Sequence, residues 1–321
     1  MYVNGFMLVP KCIQPSQTHA NMIEKKKTSL QSERSSTEQE MKQSPWSKEF
    51  QEKLSNRENG TVPEYAYLCI ITETNACDSD ETVQQTIDTL KAALGTHNEQ
   101  GIDLISIRVT IPYASTDCKE RLIKLATSLM NMKKELQSHP QYNDYKIVMN
   151  DIQYLDCAMK ANVDGIHVKE KDIGEIPKVR FTLQNYRKNI SSQEPVVVGT
   201  SAHSVSSAIS TCEKYSLDYM FVGTCYMTQS HPEKSQDDLE GPSLPGLVKK
   251  EVACMVKSEV EGDSSSVSVP IIFAIGGIEK DNCQEPVLFG ADGVAAIRSV
   301  MQSSDPNQSV QDLKSAMMAR E

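Results

Sequence analysis

The chain has 321 residues, a formal net charge of −10 and 39% hydrophobic residues. That is enough for one large domain plus an extra segment. An acidic balance argues against nucleic acid as a main partner, though not against a local basic pocket for an anionic substrate. No apolar run approaches membrane-spanning length, so a soluble protein is expected. The nine cysteines are scattered without C-x-x-C pairing. They read as reduced, mostly buried thiols of a reducing compartment.

Residues 1–60 differ from the rest. The run EKKKTSLQSERSSTEQEMKQSPWSKEFQEKLSNRENG is polar and charged, with no sustained apolar face. It predicts a disordered N-terminal extension ahead of a folded domain over 61–321. The first acid is Glu24, which fits a transit peptide, but Lys11 is the only Lys or Arg before Lys25. A plain flexible tail is the preferred reading and points to the cytoplasm. A transit peptide would instead point to a plastid or another organelle.

From residue 61 onward, strand-like runs alternate with helix-like runs. Strands are expected at 67–72, 104–109, 146–149, 165–168, 196–200, 219–222, 271–275 and 294–297. Helical spacing marks ETVQQTIDTLKAAL, KERLIKLATSLMNMKKEL, IQYLDCAMKANV, SVSSAISTCEKY and GLVKKEVACMVK. In the second of these, Leu122, Leu125, Leu129 and Met132 recur at spacings of three and four, giving one apolar face. The segment 278–289 also reads as a helix, capped by Gly290. The loops SQDDLEGPSLPG and EGDSSSVS read as mobile surface segments. Strand and helix alternating to the end favour a (β/α)8 TIM barrel, with a doubly wound open sheet as the other α/β solution.

In a barrel, chemistry gathers where the strands end. The second strand presents Arg108, and the third Asn150 and Asp151. The fourth presents Lys169, Glu170 and Asp172, and the fifth Ser201 and His203. The sixth presents Thr228, Ser230, His231 and Lys234. The last two carry Gly276 and Gly277, then Arg298. Glycines after a strand leave backbone N–H groups that suit a phosphate, or else merely permit a tight turn. The rim combines cations, hydroxyls and two carboxylates, which suits a phosphorylated substrate with a divalent metal.

Several of these residues also have blander readings. Asp151 could cap the helix beginning at Ile152 or, with Asp172, hold a metal. His167 lies inside an apolar strand and reads as a packed core residue. His203 could carry a proton or hydrogen-bond a helix start. A buried arginine needs a partner, so Arg108 reads as an anion ligand. Lys169, Glu170 and Lys171 read as a solvated loop.

Taken together, the stretches VMNDIQYLDCAMKANVDGIHVKEKDI, VVVGTSAHSVSSAIS, DYMFVGTCYMTQSHPEK, FAIGGI and GADGVAAI resemble the thiamine-phosphate synthase and thiazole tautomerase superfamily of phosphate-binding barrels. The resemblance spans residues 65–305. It implies a transferase that joins a hydroxymethylpyrimidine diphosphate to a thiazole phosphate with loss of pyrophosphate. It further implies Mg²⁺ on Asp151 and Asp172, and diphosphate contacts from Arg108, Asn150 and Ser201. Thr228, Ser230, Gly277 and the backbone near Arg298 would hold the thiazole phosphate. A homo-oligomer is compatible with the chain.

The sequence departs from the family at charged positions. The synthase pattern Gln-x-Arg-x-Lys reads here as Ser106, Arg108 and Thr110. The lysine of Thr-x-Thr-Lys falls on His231, with Lys234 nearby. Each lost lysine removes a charge-assisted contact worth about 1.5–3 kcal/mol. Two further readings therefore stand beside the synthase. One is the tautomerase branch, which moves a proton with a histidine at the place of His203. The other is a barrel that has lost catalysis and binds a phosphate ligand or a partner.

Overall fold

The computed structural model describes residues 63–96, 98–99, 101–110, 116–192, 194–230, 232–260 and 269–319. The expected N-terminal extension and the EGDSSSVS loop lie outside the described residues.

Each run expected to be a strand forms one. The strands are β1 (Tyr67–Ile71), β2 (Leu104–Ile107), β3 (Lys146–Asn150), β4 (Gly165–Val168), β5 (Val197–Ala202), β6 (Tyr219–Val222), β7 (Ile271–Ile275) and β8 (Gly293–Ala296). All are parallel and pair in chain order. The ring closes because β1 also pairs with β8, Leu68 lying beside Val294. That pairing selects the barrel over the open sheet. The helices between strands are α1 (Asp80–Leu94), α2 (Thr116–Gln137), α3 (Leu155–Ala161), α4 (Ile176–Asn189), α5 (Val205–Lys214), α6 (Leu244–Val260) and α7 (Gln284–Leu288). After β8 come the single turn α8 (Arg298–Met301) and α9 (Pro306–Met317). Among the described residues, no helix is long and apolar enough to cross a membrane.

Alternation along each strand makes two cores. Leu68 and Ile70 pack outward, in the layer shared with the helices. Tyr67, Cys69 and Ile71 belong to an inner cluster with Leu104, Val148, Val197, Tyr219, Phe221 and Phe273. Inside, Phe273 meets Tyr67, Tyr219 and Phe221 edge to face, with Phe221 and Phe273 centred 5.9 Å apart. Glycines keep strands close. A Cβ on Gly199 would lie 2.2 Å from the Tyr219 ring. The cysteines behave as expected, with Cys69, Cys77, Cys157, Cys212, Cys225 and Cys283 buried as free thiols.

A repeated device ties the strand starts together. Asp103, Asp164, Asp218 and Asp292 each directly precede an even-numbered strand and are at most 4% exposed. Each carboxylate accepts the N–H of the second residue of the preceding strand: Leu68 (2.8 Å), Ile147 (2.7 Å), Val198 (2.7 Å) and Ile272 (2.9 Å). Each also meets a cation from a helix. The partners are Lys314 at 3.0 Å, Lys133 at 2.9 Å, Arg180 at 3.3 Å, and Lys249. Buried carboxylates are tolerated because every one is both paired and hydrogen-bonded.

One element is shorter than expected. The segment predicted as helix from 278 forms turns first and becomes α7 only at Gln284. Asn282 explains this. Its side chain accepts the Glu279 N–H at 2.9 Å and donates to the Gly277 carbonyl at 2.9 Å, offering the backbone a local alternative to helix.

Candidate functional site

A cavity of about 410 Å³ opens where the strands end. Nine of the residues expected at the site line it: Arg108, Asn150, Ser201, His203, Thr228, Ser230, Gly276, Gly277 and Arg298. His231 lies outside the described residues. Asp151, Asp172 and Lys234 are not on the cavity wall.

The barrel positions each group from a strand end. Arg108 follows β2, and its backbone is clamped by Thr72 at the end of β1. The Thr72 hydroxyl donates to the Arg108 carbonyl and accepts its N–H, both at 2.8 Å. Burial, and after it the charge of Arg298, push the Arg108 guanidinium below its ordinary range. Among the described residues, no carboxylate or hydroxyl answers that guanidinium. Arg298, just after β8, donates to the Thr228 hydroxyl at 3.2 Å, and the Ser230 N–H donates to the same oxygen at 3.3 Å. Two arginines therefore line one cavity, and among the described residues neither forms an ion pair with a carboxylate, although Glu170 and Glu279 line the same wall.

Gly276 and Gly277 hold φ of 100° and 63°. They let the turn after β7 run against the loop after β6. The Cys225 N–H donates to the Ile275 carbonyl at 2.9 Å, and the Tyr226 N–H to the Gly276 carbonyl at 3.0 Å. A Cβ on Gly277 would stand 2.4 Å from the Met227 carbonyl oxygen. The positive φ and the close approach of the two loops supply the tight-turn reason for glycine.

The floor is polar. His167, 2% exposed, bridges Ser201 (2.9 Å to Nε2) and the Tyr219 hydroxyl (3.2 Å to Nδ1), and stacks on Phe221. Burial first, then the Lys169 charge, lower its pKa to about 3, so it is neutral near pH 7. It is a satisfied core histidine, as read from the sequence, yet it also lines the cavity and orients Ser201. On the strand before that of His167, Asn150 donates to the Ser106 hydroxyl at 3.2 Å.

His203 stands between two carboxylates, 3.3 Å from Glu240 and 3.9 Å from Glu170. Glu240 also accepts the Thr224 N–H at 2.6 Å and both bonds of Lys234, at 2.7 and 2.8 Å. Burial would raise the Glu240 pKa, but Lys234 and the Thr224 N–H outweigh it and hold it below the usual range. Part of the SQDDLEGPSLPG loop, expected to be mobile, is thus strapped to the end of β6. Lys234 serves the strap rather than the cavity.

The acids expected to hold a metal are placed differently from each other. Asp151 is 6% exposed at the end of β3 and does cap the following 3-10 turn, Ile152–Tyr154, through the Gln153 N–H at 3.0 Å. It also forms an ion pair with Lys169, which lines the cavity. Asp172 sits in the 3-10 segment Glu170–Glu175, away from the wall. Lys169 and Glu170 were missed as site residues, because KEK after a strand looks like any solvated loop. The available signal was their place beside Asp151 on the neighbouring strand end.

Comparison with known proteins gives the family. The family model described as thiamine monophosphate synthase matches residues 68–300. A thiamine-phosphate synthase of Chlorobium phaeobacteroides is 25% identical over 247 residues, covering 76% of this chain and 93% of the relative. One from Pyrococcus abyssi is 25% identical over 210 residues, covering 65% of this chain and 86% of the relative. The solved thiamine phosphate pyrophosphorylase of Pyrococcus furiosus superposes with a TM-score of 0.50 at 19% identity, covering 78% of this chain and 95% of that one, and shares its fold. With most of the barrel matched from β1 to the turn after β8, the chain belongs to the thiamine monophosphate synthase family.

Proposed function

We propose that this barrel is a thiamine-biosynthesis transferase that joins a hydroxymethylpyrimidine diphosphate to a thiazole phosphate and releases pyrophosphate. The observation that carries the reading is the pair of arginines, Arg108 and Arg298, facing one cavity with no protein carboxylate against either among the described residues. An anionic ligand supplies the missing charge. Each charge-assisted hydrogen bond to it is worth about 1.5–3 kcal/mol.

In this reading Arg108, Asn150 and Ser201 contact the diphosphate. Thr228, Ser230, Gly276, Gly277 and Arg298 hold the thiazole phosphate. The bond from the pyrimidine methylene to the diphosphate oxygen breaks, and its electron pair leaves with pyrophosphate. The thiazole nitrogen lone pair then forms the new C–N bond at that methylene. No protein base is needed for this step. What the site must do is stabilise charge as it gathers on the leaving oxygens, which is the work of preorganised cations. Neutral His167 fixes the Ser201 hydroxyl, so that it need not reorganise.

Enzymes of this family use Mg²⁺ generally. The two acids available here do not fit a resident divalent ion as they stand. Asp151 is already engaged by Lys169 and Gln153, and Asp172 is off the wall.

The test is turnover by the purified chain, read as thiamine phosphate formed and pyrophosphate released. A thermal midpoint unmoved by thiamine phosphate or pyrophosphate, together with no turnover, would reject the reading. The placement of His203 favours a second one. An imidazole held between Glu170 and Glu240 at the cavity edge can carry a proton, as a thiazole tautomerase requires. In that case His203→Ala abolishes proton exchange on a thiazole carboxylate phosphate, whereas the synthase reading leaves no such exchange to lose.

A further inference from the structure

Asp151 and Lys169 are the first residues after β3 and β4, neighbouring strands whose register sets Asn150 beside His167. Barrel closure therefore brings a carboxylate and an ammonium together at the edge of the cavity, where they pair. The two side chains differ in exposure, 8% for Asp151 against 44% for Lys169. The carboxylate is the buried, fixed partner. Its Oδ1 accepts the Gln153 N–H at 3.0 Å, and its Oδ2 accepts the Gln153 amide at 3.2 Å as well as Lys169. Its backbone φ of 154° is one that residues with side chains rarely adopt, so the surrounding structure imposes this orientation.

The ammonium has capacity to spare. It carries three N–H groups, and among the described residues Asp151 is its one ionic partner. Lys169 itself lines the cavity that holds Arg108 and Arg298. A divalent ion on Asp151 would have to lie about 2.0–2.1 Å from a carboxylate oxygen, in the space the ammonium uses. Two cations cannot share that oxygen without strong repulsion.

We propose that Lys169 is a built-in cation that takes the place of a divalent metal, so that the cavity binds a diphosphate without one. Lys169 neutralises Asp151, which would otherwise repel the ligand, and donates its remaining N–H groups to the diphosphate oxygens. This inference rests on the anion-binding reading above and deepens it by naming what balances the diphosphate charge.

The experiment is calorimetric titration of the full-length chain with inorganic pyrophosphate, first in EDTA and then in Mg²⁺. The expected result is affinity in EDTA within threefold of that in Mg²⁺. Lys169→Ala weakens binding in EDTA at least tenfold and regains part of it with Mg²⁺, because the freed Asp151 can now hold the ion. Lys169→Arg keeps metal-free binding. A wild-type chain that needs Mg²⁺ for tenfold or more of its affinity overturns the inference but leaves the anion-binding cavity standing. So does Lys169→Ala binding in EDTA as tightly as wild type. Failure of the wild type to bind pyrophosphate in either condition, with thiamine phosphate also silent, overturns the cavity reading and this inference with it. The wild-type metal dependence decides the matter even if a variant folds poorly.

Discussion

At the end where the strands begin, Asp103, Asp164, Asp218 and Asp292 each hold a helix cation and a strand N–H. At the end where they finish, Arg108 and Arg298 face a cavity with no carboxylate against either among the described residues. Both sets of charges lie in a partly water-excluded setting, and only the aspartates are neutralised by partners within the described residues. Buried charge that is paired inside the protein holds the fold together. Partly buried charge left unanswered is kept for something that arrives from outside. Lys169 stands between the two cases, spending one contact on Asp151 and keeping the rest.

The contrast can be broken by removing one charge from each end. Asp164→Ala should have the largest effect. It leaves Lys133, 5% exposed, with the more distant Asp144 at 3.6 Å as its one ionic partner among the described residues, and orphans the Ile147 N–H. A loss of about 3–5 kcal/mol is expected, read as the shift of the denaturant midpoint. At the other end, Arg108→Ala should leave the ligand-free thermal midpoint unchanged or slightly higher, since it removes an unanswered cation. Phosphate-ligand affinity should fall by about ten- to a hundredfold, from the loss of about 1.5–3 kcal/mol. If Arg108→Ala destabilises the empty chain as Asp164→Ala does, the distinction between the two ends fails.

Smaller changes sharpen it. Gly277→Ala forces a side chain into φ of 63° and toward the Met227 carbonyl, and should cost about 1–2 kcal/mol in a denaturant titration. Phosphate affinity should drop as well, because the two loops must part. His167 gives a pH signature. Its folded pKa is lowered to about 3 from an ordinary value of 6.5. Below pH 6.5 the unfolded chain takes up a proton that the folded chain refuses, so stability falls as pH drops from 6.5 toward 3. The His167 share of that slope is at most about 1.4 kcal/mol per pH unit. His167→Gln should remove this share, read as a shallower decline of the unfolding free energy over that window.

Much of this was legible along the chain. Short apolar runs announced every strand, most plainly the β-branched run 271–275 ahead of Gly276, because strand formation depends on residues within a few positions of one another. The Gly276–Gly277 turn and the arginines at strand ends were likewise visible, since a strand's last residue points to the mouth once a barrel is assumed. The helix expected from 278 failed at Asn282, whose side chain captures two backbone groups in a way that apolar spacing does not register. Lys234 looked able to reach the cavity, but Glu240, six residues on, holds it in the strap.

The sequence by itself determined the alternation of strands and helices and the kinds of group each strand end would offer, because those depend on local pattern and residue chemistry. Only the closed barrel decided which of those groups meet. Lys169 neutralises Asp151, Arg108 comes to share a cavity with Arg298, and four aspartates find cations on helices far away in the chain. Such pairings follow from strand register and ring closure, and long-range contacts of that kind leave no periodic trace in the order of residues.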